Sequence, residues 1–173
     1  LFFPDTYYFL LEDTDMSILT KAAGKMDREL MHAWQNRAAD LVLDDPYEAL
    51  TMASIIQKEA MLESEMPRIS GVLHNRLKRK MRLQTDPTVI FGLGPGFKGP
   101  LKRSDLKKDT PYNTYTRAGL PPGPIALPGR SALLAAVNPL ATEDLYFVAK
   151  GDGSHHFSKT LKEHNRAVKK YRN

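Results

Sequence analysis

The sequence predicts an α+β fold: mostly helical, with a small antiparallel sheet and long Pro/Gly-rich loops. Three observations predict it. Apolar residues recur at helical spacing from Asp15 onward. The stretch Pro87 to Arg130 gathers eight of the 12 prolines and seven of the 11 glycines. Near the end, "LYFVAKGDGSHHFS" reads as two short strands around a tight turn.

In chain order, "PDTYYFLL" is rich in β-formers and reads as a strand. Asp15 to Asp40 reads as a helix, with Ile18, Leu19, Ala22, Met26, Leu30, Trp34 and Ala38 one or two turns apart. "LDDPYEAL" is a helix start, with Asp45 as cap and Pro46 in the first turn, and the helix is expected to run to Glu65. Pro67 breaks it, and "RISGVLHNRLKRKM" reads as the next helix. From Pro87 to Arg130, aromatic and apolar segments such as "TVIFGLG" and "PYNTYT" argue for ordered loops and short helical turns that wall a site. Ser131 is expected to cap the short helix "SALLAAVN". After the hairpin, "TLKEHNRAVKKY" closes the chain as a helix, with Thr160 and Glu163 as a capping box.

Length fits a single domain, residues 1–173, with a sizeable core. No run approaches the roughly 20 apolar residues of a membrane span. The chain opens on "LFFPDTYYF" without an initiator Met, and a longer parent protein is expected. The absence of cysteine excludes disulfides, Cys-ligated zinc and thiol catalysis. Net charge is +5, with basic runs at Lys78-Arg79-Lys80-Arg82, Lys102-Arg103, Lys107-Lys108 and Lys169-Lys170-Arg172. Such runs are usually solvated surface, though they can meet an anionic polymer. No phosphate loop, GxSxG elbow, metal-binding HExxH or groove-reading motif occurs, so nucleic acid is not an expected partner. No metal or cofactor is expected.

The stretch "ASIIQKEAMLESE" carries acids among apolar residues. With Met52 at zero on a helical wheel, Ala49, Ile55, Ile56 and Leu62 fall within about 80° and define an apolar stripe. Glu59 and Glu63 land about 20° to either side of Met52, inside the stripe, whereas Gln57 and Glu65 lie about 140° away. An inward acid is most often paired, for example with Arg76 or Arg82. Alternatively it is a carboxyl whose desolvation keeps it protonated as a general acid. Glu59, flanked by Ile55, Ile56 and Leu62, is the better candidate. "MRLQTDPTVIFG" adds Gln84 and Asp86, suited to sugar hydroxyls and amides, although Asp86 before Pro87 is equally suited to a helix cap. "YNTYT" adds Tyr112, Asn113 and Tyr115, which can stack on sugars and bind N-acetyl groups, or simply pack a loop. His155 and His156 face opposite sides of a strand, so one of them can reach a cleft.

Taken together, "LFFPDTYYF", "MASIIQKEA", "HNRLKRKMRLQTDPTVIFG", "PYNTYTRAGLPPGPIALPG", "AAVNP", "LYFVAKGDGSHHFS" and "EHNRAV" occur in the order found in the MltG (YceG-like) family of endolytic murein transglycosylases, which this chain resembles along almost its whole length. The resemblance implies a lysozyme-like active site in a glycan cleft. It implies cleavage of the MurNAc–GlcNAc β-1,4 bond of peptidoglycan with a 1,6-anhydro-MurNAc end, releasing or terminating nascent strands near the penicillin-binding synthases. It also implies a parent held in the bacterial inner membrane by one N-terminal helix, with a LysM-like subdomain upstream of Leu1 and the catalytic part on the periplasmic side. The family's catalytic acid matches Glu59, the second acid of an E-K-E pattern whose first position is Gln57 here. Gln84, Asp86, Tyr112, Asn113, Tyr115 and His155 are expected to hold the sugars or orient Glu59, with Asn75 and Arg76 bracing its helix. The rival readings are a lysozyme-type hydrolase using Asp86 as second carboxylate, and a non-catalytic glycan-binding module.

Overall fold

The structure, a computed structural model, describes residues 1–171; Arg172 of the last basic run lies outside the described residues. Among the described residues there are seven α-helices and one β-hairpin: α1 (Asp15–Gln35), α2 (Pro46–Glu59), α3 (Met66–Lys78), α4 (Asp86–Leu93), α5 (Arg103–Lys107), α6 (Arg130–Val137), β1 (Tyr146–Ala149), β2 (His155–Ser158) and α7 (Leu161–Tyr171). This is the expected α+β class.

α2 is the central element. It begins where the sequence signals, with the Asp45 carboxylate accepting the Glu48 N–H at 2.8 Å and Pro46 in the first turn. Every residue from Ala49 to Ile56 is buried, so the helix is enclosed on all sides by α1, α3, α4 and α6. A single apolar stripe is therefore the wrong description of it. It also ends early. Ala60 is extended, and the expected continuation to Glu65 is replaced by a bend and a single 3-10 turn at Glu63–Glu65. The sequence "AMLESE" holds no breaker, and the bend is fixed from outside. Glu63 accepts the Ser131 hydroxyl at 3.0 Å, and Glu65 accepts the His155 backbone N–H at 3.0 Å and meets its ring Nδ1 at 2.7 Å. The wheel therefore misplaced Glu63, which is exposed and off the helix, and Glu65, which is partly buried.

The expected N-terminal strand is absent. Residues 4–10 have no regular structure, because the described sheet is only the hairpin and offers this segment no partner. Phe3 anchors the segment to α1, its N–H donating to the Ala22 carbonyl, while Tyr8 to Leu11 are exposed. α1 stops at Gln35 rather than Asp40, and its Thr14–Ser17 capping box fixes its start. Pro67, expected to break the helix before it, instead sits in the first turn of α3, since α2 has already stopped at Glu59. Gly129, not Ser131, caps α6. The hairpin is in the expected place, pairing Phe147 with Phe157 and Ala149 with His155. Its turn needs Gly151 and Gly153 at φ 92° and 88°. The Thr160–Glu163 capping box is present in both directions.

Candidate active site

The end of α2 opens onto a cleft of about 460 Å³. Glu59 is the last residue of α2 and is half-buried at the cleft. Around it lie Arg76 from α3, Gln84 and Asp86 from the turn into α4, Tyr115, the strand residues Tyr146 to Val148, one side of α5 and one side of α7.

Arg76 is nearly buried, and backbone carbonyls hold it. Its Nε donates to Leu145 O at 2.7 Å and its Nη1 to Leu83 O at 2.7 Å and Arg82 O at 3.4 Å. The guanidinium lies over the Tyr146 ring at 5.2 Å, and Tyr146 stacks on His164 at 5.2 Å. Burial pulls the Arg76 pKa down from its ordinary value, and the nearby Tyr146, Tyr115 and Glu59 push it back up. Arg76 therefore bridges α3, the start of β1 and the 82–83 turn. Asn75 donates to Thr142 O at 2.7 Å and Asp144 O at 3.1 Å. Both residues thus tie α3 to the chain around it, and Arg76 also shares the cleft with Glu59 at the end of α2.

Asp86 is the first residue of α4, with Thr85 as the cap position, so the capping alternative does not hold. Its carboxylate accepts the Tyr115 hydroxyl at 2.5 Å. Burial pushes the Tyr115 phenol well above its ordinary pKa, and the hydrogen bond to Asp86 and the charges of Asp86 and Glu59 push it further. The phenol therefore stays a donor across the working pH range. Gln84, exposed on the cleft, has φ 51°, a left-handed conformation unusual for a residue with a Cβ. A knot of buried hydroxyls holds this turn in place. Thr85 N donates to Thr114 Oγ1 at 3.0 Å, Thr88 Oγ1 lies 2.8 Å from Thr114 Oγ1, and Thr88 Oγ1 donates to Thr85 O at 2.7 Å. The "LQTDPT" and "YNTYT" blocks are thus two halves of one joint, which sets Asp86 against Tyr115.

Three expected sugar-binding residues lie away from the cleft. Asn113 is almost fully buried. Its amide donates to Leu106 O and Lys108 O, and its oxygen accepts the Tyr115 N–H at 2.8 Å, so it braces the loop. Tyr112 packs on Phe91 at 4.7 Å and lines a separate groove with Tyr47 and Gly123. His155 is buried against Glu65 and edge-on to Phe147 at 5.4 Å. Sequence reasoning missed Tyr146, His164 and Asn165. The signal was present: the capping box sets the α7 register, and Leu161, His164, Asn165 and Val168 share one helical face at i, i+3, i+4, i+7. Gln57, expected to point outward, is partly buried, and its Oε1 accepts the Gly129 N–H at 2.9 Å. Ser54 does the same for Ile125 N–H at 2.9 Å, so α2 holds the Pro/Gly-rich loop by two side-chain acceptors.

Chemically, the cleft offers a half-buried carboxyl, a second carboxylate engaged by a phenol, and a fixed guanidinium, with aromatic and amide groups alongside.

A family model described as the YceG-like family matches residues 1–170. A Bacillus subtilis (strain 168) protein named endolytic murein transglycosylase is 43% identical over 169 residues, covering 98% of this chain and 46% of that protein. A protein of the same name from Streptococcus pneumoniae serotype 2 is 30% identical over 177 residues, covering 99% of this chain and 32% of that protein. The chain thus spans about half the length, or less, of these relatives. A crystal structure of a yceG-like protein from Listeria monocytogenes superposes with a TM-score of 0.80 at 39% identity, covering 96% of this chain and 54% of that one.

Proposed function

The chain belongs to the YceG-like family, and from that premise we propose that it is the catalytic domain of an endolytic lytic transglycosylase acting on peptidoglycan. The observation that carries the reading is Glu59, half-buried at the end of the enclosed helix α2 in a cleft shared with Arg76, Asp86 and Tyr115. The names of the relatives support it.

In this mechanism Glu59 gives its proton to the glycosidic oxygen as the bond to C1 of MurNAc breaks. The C6 hydroxyl of the same sugar attacks C1, closing a 1,6-anhydro ring, and its proton returns to Glu59. The nucleophile is already tethered, so one carboxyl serves as acid and then as base, with proximity replacing a second carboxylate. Asp86, engaged by Tyr115, orients the sugar through its remaining oxygen positions, with Gln84 beside it. His164 and Asn165 take the place first given to Tyr112, Asn113 and His155.

The test is digestion of purified peptidoglycan by this chain, by its Glu59→Gln variant and by the longer parent protein, with products read by mass. The expected result is anhydro-ended muropeptides, lost by roughly a hundredfold or more in Glu59→Gln while strand binding survives. Reducing-end products would instead support a hydrolase using Asp86, which lies in the same cleft. Unimpaired function of Glu59→Gln would leave a binding module. The same reading has the parent held in the bacterial inner membrane by one N-terminal span, followed by a LysM-like subdomain, with the catalytic part on the periplasmic side near penicillin-binding synthases. Protease accessibility of the full-length protein in spheroplasts, and its co-purification with a synthase, test those two points.

A further inference from the structure

Two of the basic residues singled out in the sequence, Lys102 and Arg103, lie on the wall of the cleft that holds Glu59. We propose that they form an anion-binding lip that takes the carboxylates of the stem peptides on a glycan strand, which makes peptide-bearing strands the preferred substrate class. The proposal rests on the reading of the cleft as a glycan site.

The argument is one of charge placement. Where a stem peptide is attached, the lactyl carboxyl of MurNAc is tied up as an amide and the sugar backbone is neutral, so a cation on the cleft wall finds its ionic partner in the peptide rather than in the sugars. The stem peptides attached to the lactyl groups of MurNAc do carry carboxylates. Residues 98–109 hold Lys98, Lys102, Arg103, Lys107 and Lys108 against Asp105 and Asp109. Both acids are occupied. Asp105 accepts the Lys102 backbone N–H at 2.8 Å, and Asp109 pairs with Arg117 at 2.9 Å. Lys102 and Arg103 are both exposed.

The remaining cleft walls are different. Asp86 supplies negative charge at the α4 side, and α7 supplies Leu161, His164, Asn165 and Val168. A strand entering this field is oriented: its anionic peptides are drawn to α5 and repelled from the carboxyl side. That leaves the glycosidic bond facing Glu59. The basic lip thus sets both substrate class and register, a role that needs exposed, rotatable cations rather than the fixed guanidinium of Arg76.

The test measures binding to the Glu59→Gln form of the full-length protein, which does not consume its ligand. The probes are glycan strands carrying stem peptides and the same strands stripped of peptides by an amidase, with the lactyl carboxylates so exposed capped as neutral methylamides. Two exposed ion pairs predict roughly fivefold tighter binding of the peptide-bearing strands at low salt, with the gap closing as salt is raised. The Lys102→Gln/Arg103→Gln double variant is expected to bring the two affinities together, and Lys102→Glu/Arg103→Glu to reverse their order. Unchanged far-UV circular dichroism checks the fold of both. Equal binding of the two strands by the Glu59→Gln form, or an unchanged gap in the double variant, overturns the lip and leaves the transglycosylase reading standing. Failure to bind either strand, together with no cleavage by the native protein, overturns both.

Discussion

Replacing Gly71 by Ala poses a direct contest between local and tertiary structure. Gly71 lies within α3. Helix propensity alone makes Gly→Ala stabilising by about 1 kcal/mol. The fold says otherwise. A Cβ at position 71 would stand 2.4 Å from the Leu140 carbonyl oxygen and 2.9 Å from Thr142 Cγ2. An ordinary carbon–oxygen contact is about 3.3 Å, so the Leu140 segment must retreat by roughly 0.9 Å. That segment is tied to α3 by Leu140 N–H to Pro67 O at 2.8 Å and by Asn75 to Thr142 O at 2.7 Å. Retreat would stretch both. Overpacking of this kind costs about 1–3 kcal/mol, with about 1 kcal/mol more for each hydrogen bond weakened. After the helix gain, the net destabilisation is about 2–4 kcal/mol, or a Tm lower by roughly 4–16 °C for a chain of this size. Gly24 in α1 is the internal control: a Cβ there meets only the tip of Arg28, at 3.4 Å. Gly24→Ala is expected to raise Tm by roughly 1–4 °C. Thermal melts of both variants decide the matter. If Gly71→Ala melts at or above the parent temperature, the close approach of α3 to the Leu140 turn is not a constraint on the fold.

Other predictions address the joint, the loop clamp and a buried histidine. Thr114→Val strands the Thr85 N–H and removes the centre of the hydroxyl knot. It should cost about 1–3 kcal/mol in denaturant unfolding and loosen Asp86 against Tyr115, and a change below about 0.5 kcal/mol would contradict the knot. Gln57→Ala should cost about 1–2 kcal/mol by leaving Gly129 N–H without its acceptor, whereas Gln57→Glu keeps an acceptor there and should retain both stability and turnover. Equal losses in the two variants would show that position 57 does something other than accept this bond. His74 is buried, its Nδ1 meets Ser70 O at 2.9 Å, and among the described residues its Nε2 has no partner. Burial lowers its pKa below the ordinary 6.5, so the folded chain holds the neutral ring while the unfolded chain takes up a proton. Its contribution to stability is whole above about pH 6.5 and is lost as pH falls below that toward the depressed folded value. His74→Phe should therefore flatten the fall in Tm between pH 7 and pH 5, and an unchanged slope would exclude His74 as its source.

Much of the fold was legible where the signal was local. The Asp45–Pro46 start of α2, the Thr160–Glu163 box and the glycine-bounded hairpin turn each depend on residues a few positions apart, and their energetics are complete within one turn of chain. Glu59 was also singled out from the wheel, and the structure puts it in the cleft with Gln84, Asp86, Tyr115 and Arg76. The wheel itself was a poor guide beyond that point, since it assumed a helix through Glu65 and a single buried face. α2 stops at Glu59 because Glu63 and Glu65 are held by Ser131 and His155, about 70 and 90 residues away.

The sequence by itself determined the elements whose stability is local, and through its long unusual blocks it determined the family. Tertiary structure decided what no short window encodes. It set His155 against Glu65 and Tyr112 against Phe91, partners distant in sequence, and it folded Asn113 into carbonyls of its own loop, so all three lie away from the cleft. It left "PDTYYFLL" unpaired, because a strand exists only where another backbone offers its N–H and C=O groups. And it made Glu59 the end of its helix, at the mouth of a cleft, because the chain beyond it is held elsewhere by contacts that only the folded molecule contains.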